Sequence, residues 1–211
     1  MIEIRHKNTG RLLLRVSSDA LCGAEMPNSQ LAGANLRGLN LAATNMMYSD
    51  LHAADLHSAR LTGINLCGAI LVGANLQAVD LTSADLSEAD LTSSALIGAK
   101  LAGAKLRYCH LDGADFENAD LAGADLSMAT ARAMFKHANL SKAKLQGANL
   151  TGANLTGANL EGADLTGAIL SGAILMGTKL EGAIDPKGKP YRVITAKQCR
   201  AAAPWWQFWR S

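Results

Sequence analysis

Along most of this chain an apolar residue returns at every fifth position. Leu, or Met or Phe in its place, holds that position from Leu21 to Leu126, and the series resumes from Phe135 to Leu180. The cleanest stretch begins at Leu150 and reads LTGAN, LTGAN, LEGAD, LTGAI, with Ala two places before each Leu and usually Asn or Asp one place before. A repeat of this kind outranks local helix or strand propensity. Five steps along an α-helix rotate about 500°, so the leucines would spiral around the helix and form no stripe. On a straight strand an odd spacing sends alternate leucines to opposite faces. The period is satisfied when the chain turns a corner every five residues. Each Leu then stays inside a coil whose turns stack by backbone hydrogen bonds, which is a β-solenoid.

The small residues fit the same geometry. Ala two places before Leu also points inward, and its methyl leaves room for leucines of the other sides. Gly falls two places after Leu, as at Gly23, Gly33, Gly63, Gly98 and the series Gly147 to Gly182. That is where the corner lies, and Gly takes positive φ without steric penalty. Tyr48, Tyr108, Glu88 and Met128 occupy the same place, and these corners are expected to use a turn with both central residues at negative φ. Between Leu126 and Phe135 the spacing is nine instead of ten, so one residue is missing around Met128 to Arg132. A tightened corner or a short local irregularity is expected there, because a recognition loop would need extra residues.

With A(D/N)LXX units running from about Ala20 to Ala183, the chain resembles pentapeptide-repeat proteins. The resemblance implies an all-β fold: a right-handed quadrilateral parallel β-helix, a solenoid of about eight coils with strands stacked about 4.8 Å apart. The spacing alone leaves a three-sided coil open, since that would also bury the leucines. The expected organisation is an N-terminal β-hairpin cap over residues 1–19, the β-helix over 20–184 and a C-terminal basic, aromatic tail over 185–211. Ile2 to His6 and Arg11 to Val16 read as strands around the turn Lys7-Asn8-Thr9-Gly10. Such a cap matters because a bare solenoid end exposes unpaired backbone and apolar core. Asp185-Pro186-Lys187-Gly188-Lys189-Pro190 is turn-rich. Thr195 is a candidate N-cap for a short helix through Ala203, which Pro204 ends.

Composition narrows the class. The 211 residues are 49% hydrophobic but only 4% aromatic, which suits a thin core of Leu and Ala better than a globular one. Cys22, Cys67, Cys109 and Cys199 show no paired spacing, and Cys109 takes an inward Ala position, where it reads as packing. Met1 to Val16 carries charges throughout and lacks the apolar run of a signal peptide. No apolar stretch approaches the about twenty residues of a membrane span. A cytoplasmic protein is expected, and the resemblance implies a bacterial one.

The net charge of +2 conceals an uneven distribution. Leu21 to Gly182 holds fifteen acidic and ten basic residues, a net of −5, whereas the two ends hold three acidic and ten basic, a net of +7. In a twenty-residue coil the outward positions before Leu would stack as Arg60, Asp80, Lys100, Asp120 and as Asp85, Lys105, Asp125, Lys144, Asp164. These alternate in sign, which mildly favours stacking. A fifteen-residue coil alternates as well, through Asp85, Lys100 and Asp115. The resemblance also implies an alternative function, protection of a topoisomerase (gyrase) by a protein that imitates DNA. Such mimicry requires a persistently acidic face, and Lys100, Lys105 and Lys144 interrupt it. The basic residues scattered at the ends accompany no nucleic-acid-binding motif, so nucleic acid is not an expected partner.

Chemistry-bearing residues are sparse. His52 and His57 hold equivalent outward positions in adjacent units, hence neighbouring sides, which is a poor arrangement for a shared metal. His110 would lie above Asp90 in a twenty-residue coil, on a convex surface without a cleft. No enzyme activity, metal or cofactor is expected. The strongest departure from regularity is the cluster Trp205, Trp206, Phe208 and Trp209. Ile169 and Ile174, which replace outward Asn or Asp, complete a candidate interaction surface with it. Three coverings are open: the tail folds on the last coil, it forms a homodimer as the resemblance suggests, or it contacts a membrane surface beside Lys197, Arg200 and Arg210. The expected function is a non-enzymatic β-helical scaffold or protein-interaction module, whose protein partner the sequence does not name.

Overall fold

The computed structural model describes residues 1–191, so the expected helix from Thr195 to Ala203 and the cluster Trp205, Trp206, Phe208 and Trp209 lie outside it. The described residues are all-β, with no helix among them. Strands β1 (Ile2–Arg5) and β2 (Leu12–Val16) form an antiparallel pair with Ile4 opposite Leu14. Each is one residue shorter than the sequence pattern predicts. His6 instead bridges antiparallel to Ala34 on the solenoid.

From Glu25 to Ile184 the chain is a ladder of single-residue parallel bridges. Glu25 pairs with Asn45, Asn45 with Asn65, Asn65 with Asp85 and Asp85 with Lys105. The step of twenty residues makes each coil four units long and excludes the fifteen-residue alternative. Four outward columns result. Side 1 begins at Glu25, side 2 at Gln30, side 3 at Asn35 and side 4 at Asn40.

Three backbone bonds tie each interior side to the next coil. On side 1 they run from Leu66 N–H to Asp85 O (2.7 Å), from Asp85 N–H to Ile64 O (2.9 Å) and from Gly68 N–H to Ser87 O (2.9 Å). The repeated leucines from Leu31 through Leu165 are at most 1% exposed, and the small inward residues form a second buried column. Where that residue is polar, it satisfies itself against a carbonyl, as buried groups must. Thr44 Oγ1 donates to Leu21 O (2.8 Å), Ser94 Oγ to Leu91 O (2.6 Å) and Cys109 Sγ to Leu86 O (2.8 Å).

The corners correct one expectation. Tyr48, Glu88, Tyr108 and Met128 do not switch to negative φ; they sit at 55°, 62°, 59° and 62°, beside glycines such as Gly63 and Gly68 at 65°. The reason lies in the ladder. In each corner the middle peptide is the one that stacks: Tyr48 N–H donates to Cys67 O (2.9 Å), just as Gly68 N–H donates to Ser87 O. A turn with both central φ negative flips that peptide by about 180° and breaks its bonds to both neighbouring coils. Keeping them outweighs the roughly 1–2 kcal/mol that the left-handed region costs a side-chain-bearing residue.

The missing residue is absorbed within one corner. Ala133 N–H bonds Ala131 O (2.8 Å), a turn one residue tighter than its neighbours, and Arg132 N–H bonds Asp112 Oδ1 (3.1 Å). Bridges across this coil step by nineteen, as from Asp120 to Asn139, and return to twenty at Met134–Asn154. Ala131 stands where a Leu is due and is fully buried. Phe135 on the next side, stacked on Phe116 at 5.0 Å between centroids and 14° between planes, restores the side-chain volume that Ala131 withdraws.

The two ends differ. At the N-terminal end β1 docks on the first coil through Asn35 N–H to Arg5 O and Lys7 N–H to Gly33 O, both 2.8 Å, and Ile4 is 1% exposed. At the C-terminal end the chain reverses over Asp185–Lys189, whose turn Asp185 Oδ1 holds by accepting the amides of Lys187 (2.9 Å) and Lys189 (2.8 Å). Ile184 then bridges antiparallel to Pro190, and Tyr191 N–H donates to Ala183 O (2.6 Å).

Candidate interaction surface

The outward Asn or Asp of each unit has a backbone task that the repeat pattern does not announce. The amide of the residue after Leu is left out of the stacking ladder, and the Oδ1 two residues earlier accepts it, an Asx turn. Thr82 donates to Asp80 (3.1 Å), Thr156 to Asn154 (3.1 Å) and Glu161 to Asn159 (3.0 Å). A hydroxyl often joins: Thr82 Oγ1 reaches Asp80 at 2.7 Å, Ser87 Oγ reaches Asp85 at 2.7 Å and Thr166 Oγ1 reaches Asp164 at 2.6 Å. These donors hold three carboxyls below the ordinary value of 3.8. At Asp80 the Thr82 hydroxyl is the main cause. At Asp85 burial is the largest single influence and pushes upward, but Ser87 and Lys105 together outweigh it. At Asp164 burial is likewise outweighed by Thr166 and Gln146.

The charge columns are arranged as a twenty-residue coil dictates. Asp85, Lys105, Asp125, Lys144 and Asp164 are successive bridge partners on side 1. Lys105 Nζ lies 3.1 Å from Asp85 Oδ2 and Lys144 Nζ lies 3.9 Å from Asp125 Oδ2. Such exposed pairs contribute about 0–1 kcal/mol each. His110 does stack on Asp90, both on side 2. His52 and His57 project from sides 2 and 3, and His52 Nδ1 lies 3.3 Å from Asp50 Oδ1. Among the described residues no three His, Cys, Asp or Glu are grouped to hold a metal ion. Burial pushes the Cys109 thiol up to about 12, so it stays a protonated packing group.

Apart from Met1, Ile97 and Met134, the large exposed apolar side chains among the described residues gather in two places. On the corner between sides 1 and 2, Tyr48 (56% exposed), Tyr108 (48%) and Met128 (53%) share one column, and the Arg107 guanidinium lies over the Tyr108 ring at 5.5 Å. Ile70, on adjoining side 2, is 45% exposed. The second place is the C-terminal end. Ile169 and Ile174, on sides 2 and 3, are about half exposed, and the repeat pattern points to both. It does not point to Met176, which is 71% exposed. The only signal for Met176 is a long apolar side chain in the place after Leu that Thr, Ser or Glu holds in neighbouring units. Leu170, Leu175, Leu180 and Tyr191 help line a recess of about 590 Å³ at this end, with Leu170 and Leu180 themselves buried and Leu175 half-buried. The tail aromatics meant to join Ile169 and Ile174 lie outside the described residues. No helix among the described residues is long and apolar enough to cross a membrane.

Comparison with known proteins places these features. The family model described as pentapeptide repeats matches in eight copies, over residues 24–63, 59–96, 99–133, 131–152 and 143–182. The crystal structure of HetL, a pentapeptide repeat protein involved in heterocyst differentiation regulation from the cyanobacterium Nostoc sp. strain PCC 7120, is 35% identical with a TM-score of 0.52. That match covers 81% of this chain and 88% of HetL. Full-length QnrB1, a plasmid-mediated fluoroquinolone resistance protein, is 20% identical with a TM-score of 0.64, covering 82% of this chain and 89% of QnrB1. No curated protein matches the chain.

Proposed function

We propose that this chain, which belongs to the pentapeptide-repeat family, is a non-enzymatic β-helical scaffold or protein-interaction module. We picture it as a right-handed rod of about eight coils stacked about 4.8 Å apart, capped at its start by the β1–β2 hairpin and working in the cytoplasm of a bacterium. The observation that carries this reading is the corner column of Tyr48, Tyr108 and Met128. Large, half-exposed side chains stand there on a backbone that the ladder holds rigid. Tyr and Arg are enriched among residues that anchor protein interfaces, and a preordered surface loses little entropy on binding. A protein partner lying along this ridge, with Ile70 beside it, uses what the rod offers.

Gyrase protection by DNA mimicry gains no support from the side chains. Lysines alternate with aspartates along side 1, whereas duplex DNA presents unbroken negative charge. The likeness to QnrB1, at 20% identity, is a likeness of fold. A homodimer or a membrane contact through Trp205, Trp206, Phe208 and Trp209 with Ile169 and Ile174 would use a different part of the molecule, the end instead of the flank.

The test is affinity capture from the native host with full-length protein and with Tyr108→Asp/Met128→Asp. Both positions are exposed, so the variant is expected to melt as the parent does. A protein retained by the parent and lost by the variant supports the ridge. Identical captured sets, or a gyrase subunit held equally by both, would overturn it.

A further inference from the structure

The hairpin that closes the N-terminal end of the rod leaves an edge of its own. β1 lies along side 3 of the first coil: His6 bridges antiparallel to Ala34, Asn35 N–H donates to Arg5 O and Lys7 N–H donates to Gly33 O. β2 pairs with the other edge of β1. Side 3 therefore runs on past the first coil as one sheet, in the order coil, β1, β2. Among the described residues β2 has no neighbour except β1, and an edge of this kind is a template for another extended backbone. The pleat shows which groups are free. Arg5 O faces the coil, so Ile4 faces β2 and exchanges bonds with its partner Leu14. Arg15, opposite Glu3, then turns its N–H and C=O away from β1. The usual means of blunting an edge are weak here. A register shift sits at the Ile4/Arg5 end and leaves Leu14 to Val16 regular. The strand contains no proline or lysine, and its one charge, Arg15, is matched by Glu3, with Nε 2.9 Å from Oε1. Apolar cover also thins towards this strand. Ile4 on β1 is 1% exposed, whereas Leu13, Leu14 and Val16 on β2 are only half-buried.

We propose that β2 pairs antiparallel with β2 of a second copy of this chain, about a two-fold axis at Leu14, so that two rods join by their N-terminal ends through a continuous side 3. The strand is complementary to itself in this register. Leu14 faces Leu14 of the second copy, and the inward row across the four strands becomes Ile4, Leu14, Leu14, Ile4, apolar throughout. Arg15 faces Leu13 of the second copy, so no charge meets a like charge, and the free N–H and C=O of Arg15 gain partners. An unrelated strand would supply backbone bonds alone, whereas the second copy also supplies the matching apolar row. The contact of two hairpin edges is small beside the about 1,200–2,000 Å² of stable interfaces. Association is therefore weak and follows protein concentration.

The experiment follows mass by light scattering over a concentration series, for the full-length protein, Arg15→Pro and Arg15→Ala. The Arg15 N–H points away from β1, and proline is tolerated at such an edge position, so the hairpin is retained, as thermal unfolding at low concentration would verify. Mass is expected to rise towards twice that of the monomer in the parent and in Arg15→Ala, and to stay monomeric in Arg15→Pro. A second variant decides independently of how Arg15→Pro folds. Facing residues of a non-hydrogen-bonded antiparallel pair stand about 4.5 Å apart at Cα, within reach of a disulfide. Leu14→Cys in a Cys22→Ser/Cys199→Ser background is therefore expected to form a covalent dimer under mild oxidation, several-fold beyond the background alone. A parent that is monomeric at every concentration, a dimer that Arg15→Pro leaves intact, or Leu14→Cys that links no more than its background would overturn the proposal. So would a dimer that Ile174→Asp abolishes, which would assign the contact to the opposite end of the rod.

Discussion

Glycine at the corners has two physical uses, and only one is its backbone freedom. Among the described residues fourteen other than Gly hold positive φ, including Ala43, Ala53 and Ala78, so the conformation alone does not demand Gly. Space does at certain corners. The Tyr48 ring lies where a Cβ on Gly68 would stand, His6 Nε2 is 2.5 Å from such a Cβ on Gly33, and His137 Nδ1 is 2.5 Å from one on Gly157. A long corner side chain thus lies on the Gly of another turn of the chain. Gly63 has nothing within 4 Å of its would-be Cβ, so Gly63→Ala is expected to cost only about 1 kcal/mol for its left-handed φ. Gly68→Ala is expected to cost about 2–3 kcal/mol because overpacking adds to it. Chemical denaturation would show this, and the excess should vanish in a Tyr48→Ala background. Equal costs for the two glycines in the parent would refute the close approach.

A side of one coil is the smallest element that does something by itself: one inward Leu, one inward small residue, one outward Asx and a corner. Leu155 is fully buried in such a side. Leu155→Lys sets an unpaired charge in a core with no room for water and is expected to destabilise by about 3–5 kcal/mol. Unchanged thermal unfolding would refute its inward assignment. At this scale the sequence is most legible. Leu and Ala state their inward places because burial depends on apolar character, and the β-hairpin follows from alternation around a turn. Coil length is not legible, because charge alternates at fifteen and at twenty residues, and only the bridge from Asp85 to Lys105 decides. The corners at Tyr48 and Met128 mislead, because a side chain suggests negative φ while the stacking peptide requires the opposite. The Asx bond escapes the pattern because Asn and Asp also look like ordinary exposed residues. Of the candidate surface, Ile169 and Ile174 show as breaks in the repeat. Met176 does not, since the place it fills tolerates many residue types.

The whole molecule is a stack in which each coil answers chiefly to its neighbours, so widely spaced groups can act additively. Asp80, Asp85 and Asp164 have their folded-state values depressed. Their stabilisation is therefore fully present above the unfolded value near 3.8 and is lost as pH falls through the lower folded values. The melting temperature is expected to hold level from neutrality to about pH 5 and to drop below about pH 4. A Thr82→Val variant, lacking the hydroxyl on Asp80, should shift less across that window than the parent. A melting temperature that stays level to pH 2 would exclude the linkage. The stack also has a mechanical meaning. Its interlayer bonds lie along the rod axis, so a pull on the two ends loads them in series, and coils come away singly from an end. Each coil of twenty residues releases at most about 66–72 Å of chain while the rod shortens by only about 4.8 Å. Under tension the molecule is a spool: it pays out more than ten times the length it gives up in thickness, and the nineteen-residue coil makes one step shorter than the rest.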